Sequence, residues 1–222
     1  LAVFASFLLK DKSNSEPIDK KTPSFFSFLN YWKTSPIEYK KTVIGLLAFA
    51  VFNSSDVFLL LKAKQAGLND TYVIGIYIFY NLVYAIAALP IGILADKIGL
   101  KKMFIFGLSL FAIVYFGMAF SENSYLIALF FFVYGVYAAA TEGVSKAWIS
   151  NICDKKDTAT AIGTYSGFQS ISALMASYFA GLIWHQFGAS ATFITTGIGT
   201  ILVIIYFSFF MKDKIIKNDT PT

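Results

Sequence analysis

Six long apolar stretches follow one another along this chain: Thr42–Leu61, Tyr72–Leu94, Met103–Phe120, Tyr125–Ile149, Ala159–Trp184 and Ala189–Met211. Five are nearly continuous. The first is interrupted by Asn53-Ser54-Ser55-Asp56. A helix needs roughly 20 residues to cross the hydrocarbon core of a bilayer, and a water-soluble domain has no use for six such segments in a row. The pattern predicts an all-α, polytopic membrane protein with six crossings.

Composition narrows the function classes. Charged residues make up 14% of the chain, the hydrophobic fraction is 57%, and the mean hydropathy is +0.64. The basic pI near 9.1 does not point to nucleic acid. All 18 basic residues are lysines, whereas base readout and forked phosphate contacts favour arginine. The lone Cys153 excludes an intrachain disulfide framework and a multi-cysteine metal site. No GxxxxGK phosphate loop and no acid–histidine cluster with metal spacing occurs. The sequence therefore calls for no cofactor, no metal, no nucleic-acid partner and no enzymatic activity.

The lysines set a topology. Sixteen lie in one alternating set of connections (before Thr42, around Lys97–Lys102, at Lys146–Lys156, and after Met211), and two, Lys62 and Lys64, lie in the other. Lysine bias marks the cytoplasmic side, so both ends of the six-helix region are expected in the cytoplasm. Residues 42–211 form the expected bundle, 212–222 a cytoplasmic tail, and 10–41 a cytoplasmic loop holding Pro17, Pro23 and Pro36. Within that loop, Ser24–Trp32 (SFFSFLNYW) reads as a short interfacial helix, because aromatic side chains with polar tips favour the headgroup layer. The apolar residues 1–9 are too few to span a bilayer and read as the end of a preceding transmembrane helix. So long a connection suits a join between two bundles.

Between the second and third stretches runs Gly92-Ile-Leu-Ala-Asp96-Lys97-Ile-Gly99-Leu-Lys101-Lys102. On chemistry alone this is a charged hairpin turn joining antiparallel helices. It also resembles the loop motif of the major facilitator superfamily, G-x-L-[AS]-D-[RK]-x-G-[RK]-[RK]-x. Gly92, Leu94, Asp96, Lys97, Gly99, Lys101 and Lys102 match the key positions. Leu100 stands where a basic residue is usual, and lysine replaces arginine throughout. In that family the motif joins helices two and three and recurs, weakened, between eight and nine. The resemblance implies that these six helices are numbers seven to twelve, one half of a twelve-helix fold whose other, amino-terminal half is the missing partner. An internal echo agrees with it. Gly181 and Gly188 repeat the seven-residue spacing of Gly92 and Gly99, 89 residues later, at another helix hairpin. Three-helix units of opposite orientation are nested within each half of such transporters.

Polar residues inside the spans are the candidate site. Counted from Lys41 at about 1.5 Å per residue, Asp56 lies ~22 Å in, beyond the midplane. An acid at that depth normally faces a bundle interior or a wet cavity. It either binds or relays something, protons included, or serves as a helix–helix contact hydrogen-bonded to Asn53 or a neighbour. Asn53 and Asp56, three apart, are expected on one helix face. Tyr77, Tyr80, Asn81 and Tyr84 share a face of the second helix. Gln169 is the one candidate ligand contact on the otherwise small-residue surface of the fifth. Glu142 and Lys146, four apart near the lysine-rich end, form a favourable pair. The family resemblance implies that Asp96 and Lys97 meet them as a cytoplasmic gate. A proton-relay role for Glu142 is the alternative.

Together these features imply a secondary transporter in the cell membrane, bathed in lipid and moving a small organic solute by alternating access. The apolar, tyrosine-rich helices lean toward an amphipathic molecule and toward efflux, with proton coupling at Asp56. A non-transporting membrane scaffold or receptor on the same fold is the rival reading. A solvent-reachable Asp56 favours the first, and a tightly packed one the second.

Overall fold

The computed structural model describes residues 27–210, and within them every regular element is helical. A short helix, α1 (Ser27–Thr34), precedes α2 (Ile37–Phe52) and α3 (Val57–Gln65). Then come α4 (Asp70–Ile98), α5 (Leu100–Phe120) and α6 (Ser124–Ile152). A single 3-10 turn, Lys155–Asp157, leads into α7 (Thr158–Phe210). Residues 37–65 together make one membrane-length segment broken in the middle, and α7 is two spans that meet at Gly188. Six crossings result, as the apolar pattern requires. The expected helix end over residues 1–9, the start of the loop and the tail after 211 lie outside the described residues. Of the expected short helix over Ser24–Trp32, the described part from Ser27 is helical, in α1.

Helix ends differ from the ends of the apolar runs. α2 begins at Ile37, just after Pro36, and not at Thr42; α4 runs through Ile98 and not to Leu94. A helix satisfies its own backbone, so it continues into water beyond the apolar run until a breaker stops it. Pro36 and Gly99 are those breakers. Two helices that begin at the other end, α4 and α6, are capped by asparagine. The Asn69 side chain accepts from Tyr72 N (3.0 Å), and that of Asn123 from Tyr125 N (2.9 Å), each satisfying otherwise orphaned donors.

The two glycine hairpins are alike in backbone. Gly99 (φ 98°, ψ 137°) and Gly188 (φ 84°, ψ 175°) each join two helices with no further loop. A side chain is strained in this part of conformational space, so the seven-residue echo marks two corners alike in backbone. Gly92, by contrast, has nothing within 4 Å of where a Cβ would sit, and so makes no close helix approach here.

Distant hydrogen bonds fix which ends lie together. At the lysine-rich end Tyr39 Oη donates to Ala161 O (2.8 Å) and Tyr206 Oη to Lys41 O (3.0 Å). At the opposite end Ser190 Oγ donates to Ala119 O (2.7 Å). α5 packs along α6 and α7, α6 also along α4, and α2 along α7. The core is aromatic. Phe49 meets Phe111 edge-on at 5.1 Å, and Phe111 stacks on Tyr115 at 4.0 Å. Lipid is as apolar as such a core, so close packing and not water exclusion holds these helices together. Glycine permits it. A Cβ on Gly107 would fall 2.6 Å from Thr141 Cγ2, and one on Gly135 2.7 Å from the Tyr80 carbonyl.

Candidate functional site

The break between α2 and α3 is built from residues whose short polar side chains compete with helical hydrogen bonds. Asn53 closes α2 with its N–H on Phe49 O (2.9 Å), and Ser54 N turns back to Phe52 O (3.0 Å). Ser55 N is satisfied from another helix, by Ser177 Oγ at 3.2 Å. Asp56 then begins α3, where the helix dipole favours negative charge. Irregular backbone at membrane depth survives only where protein or a watery cavity covers it. This one is covered by protein on one side and half-open at Asp56.

Two buried tyrosines hold the Asp56 carboxylate. Tyr80 of α4 donates to Oδ2 and Tyr134 of α6 to Oδ1, each at 2.5 Å. The two tyrosines are matched in depth, each ten residues from the first residue of its helix. Their rings meet edge to face at 5.4 Å. Gly135, next to Tyr134, lets α6 approach α4 closely enough for both hydroxyls to reach one acid. A third phenol, Tyr115 of α5, is buried in the field of Asp56. Its hydroxyl lies within interaction range of the Ser54 hydroxyl, and Asn53 Oδ1 is buried with no hydrogen-bond partner among the described residues.

Asn53 and Asp56 therefore do not share a helix face, because the chain is not helical between them. The partners of Asp56 are Tyr80 and Tyr134, and not Asn53. Asn81 donates to the carbonyl of Tyr77 within its own helix (2.8 Å). The Tyr77 ring is exposed and contacts Tyr80 edge-on at 5.3 Å. Gln169 is half-buried on α7. Glu142 lies beside Tyr84 and within reach of the Tyr137 hydroxyl's field. Asp96, Lys97, Glu142 and Lys146 are all exposed. An ion pair joins Lys64 and Asp70, 2.7 Å, at the other end of the bundle. Lys101 is half-buried. Near Lys64, a hollow of about 280 Å³ is lined by Leu61, Gln65 and Trp184.

Tyr134 and Tyr115 were not among the residues singled out from sequence. A signal for them existed: a phenol in the middle of an apolar span needs a partner for its hydroxyl, and a lone acid at the same depth supplies one.

Fold and site together define a polytopic helical membrane protein with an acid at a helix break. The comparisons are more specific. Residues 42–222 match the family profile of the Major Facilitator Superfamily. The chain is 31% identical over 179 residues to an uncharacterised MFS-type transporter of Methanocaldococcus jannaschii, covering 78% of this chain and 44% of that relative. This chain belongs to the major facilitator superfamily. It spans less than half the length of the relative it matches.

Proposed function

We propose that this six-helix bundle works as the second half of a twelve-helix secondary transporter. It moves a small organic solute across the cell membrane by rocking against a first half about a central site. The observation that carries the reading is the Asp56 carboxylate, set at a break in a membrane-spanning helix and held by Tyr80 and Tyr134. Broken helices at membrane depth and ionisable side chains inside spans both mark substrate and ion pathways. A half-open Asp56 favours transport over a scaffold role. In this reading residues 1–9 end a preceding helix and residues 10–41 form the central cytoplasmic loop. The lysine-rich end faces the cytoplasm.

In this reading Asn53, Asp56, Tyr77, Asn81 and Gln169 face a central cavity shared with the first half. Asp56 exchanges protons and couples their flow to efflux. The groups facing it are the phenols of Tyr80 from α4, Tyr115 from α5, and Tyr134 and Tyr137 from α6. Gly92, Asp96, Lys97, Gly99 and Lys101 form the hinge of the cytoplasmic gate, with Glu142 and Lys146 opposite. All are exposed or half-exposed in this bundle.

The test is transport by the complete protein in proteoliposomes with an imposed pH gradient. Asp56→Asn is expected to abolish the dependence of flux on the gradient while the protein still folds. Asp96→Asn is expected to slow turnover per folded molecule without lowering abundance to match. Gradient-driven flux of wild-type size in Asp56→Asn would remove the acid from the coupling mechanism.

A further inference from the structure

We propose that the solute is a protonated amine with an apolar body, its ammonium group bound at Asp56. This deepens the transport reading and rests on it for the site's exposure to solute.

Hydrogen-bond chemistry comes first. An ionised carboxylate offers about four acceptor positions. The hydroxyls of Tyr80 and Tyr134 occupy one on each oxygen, so each oxygen retains acceptor capacity. The nearby Asn53 Oδ1, buried and unpartnered, is a further acceptor. Ser54 Oγ and Tyr115 Oη lie beside each other next to it and, as hydroxyls, can accept as well as donate. A group entering here meets mostly acceptors, which calls for a donor-only ligand. An ammonium group is that ligand.

Charge agrees. Among the described residues no lysine pairs with Asp56. Lys62, six residues on, sits roughly 120° around the helix from it, on the side that carries buried Leu59. Along α6, Glu142 stands eight residues beyond Tyr134, about 12 Å away, beside Tyr84 and near Tyr137. The wall between the acids is aromatic: Tyr134 packs on Tyr137 at 5.1 Å, and Tyr84 lies beside Glu142. Aromatic faces attract cations, more strongly when water is excluded. An anion would be repelled from both ends of this wall, and a neutral alcohol would gain nothing from its charge.

The experiment measures equilibrium binding to the complete transporter in detergent, at fixed pH and without a gradient. The probes are 4-phenylbutylamine, protonated at neutral pH, and its neutral isostere 4-phenylbutanol. Saturable thermal stabilisation by the amine and none by the alcohol is expected. Asp56→Asn should weaken the amine at least about tenfold, the worth of one charge-assisted hydrogen bond. Glu142→Gln, at an exposed position that leaves the fold intact, should weaken it several-fold. Equal response to both probes would overturn the inference, as would undiminished amine affinity in Asp56→Asn. Stabilisation by sodium chloride over choline chloride with no amine response would overturn it too. Specific amine binding without any translocation in proteoliposomes would defeat the transport reading and leave the ligand class standing. Translocation of a neutral or anionic solute without amine binding would do the reverse.

Discussion

Helices α4 and α5 are nearly equal in apolarity, yet three residues of the first are buried against ten of the second. The difference teaches what hydrophobicity means in a membrane protein. Lipid rewards an apolar side chain as well as a core does, so hydropathy places a helix in the bilayer without saying what it touches. Small residues and their neighbours say more. A Cβ on Gly107 of α5 would collide with Thr141, and one on Gly117 would meet the ring of Phe130. On α4, Gly75 and Gly92 face open space. α4 commits one strongly buried polar side chain to the bundle, Tyr80, and that side chain goes to Asp56.

The contrast can be broken at several places, measured as unfolding of the protein in mixed micelles. Phe111, fully buried on α5, and Leu89, 74% exposed on α4, give the largest expected separation. Phe111→Ala should cost about 3–5 kcal/mol through the cavity it leaves, and Leu89→Ala close to nothing. Equal losses would mean that α4 is packed against something in the working protein.

A smaller effect is expected at the glycines. Gly135→Val drives a side chain into the Tyr80 backbone and should cost roughly 1–3 kcal/mol by overpacking. It should also pull Tyr134 away from Asp56. Gly75→Val on the open face of α4 should leave stability unchanged. Loss of transport in a stable Gly75→Val protein would identify that face as a mating surface.

The smallest effect concerns the corner that joins the two helices. Gly99→Ala forces an alanine to φ near 98°, a cost of about 1–2 kcal/mol. Gly188→Ala should match it, since φ there is 84° and neither position has a neighbour within 4 Å. Unequal penalties would show that the two hairpins are equivalent in backbone only.

The sequence by itself determined the class of this protein. Length and apolarity of the spans decide for the bilayer, because no other solvent accepts six such segments. The glycine corners were legible because positive φ excludes nearly every other residue. The loop motif from Gly92 to Lys102 carried the family. The importance of Asp56 was legible too, since a lone carboxylate in an apolar span demands compensation. Its partners were not. Tyr80 and Tyr134 lie 24 and 78 residues away, and helical periodicity speaks only of neighbours within one helix. The expectation that Asn53 shares a face with Asp56 assumed an unbroken helix, whereas four polar residues in succession released the backbone. Which tyrosines reach the acid depends on how closely α6 approaches α4. That distance is set by Gly135 against Val83 and the Tyr80 carbonyl, a contact between two helices that local patterning does not encode.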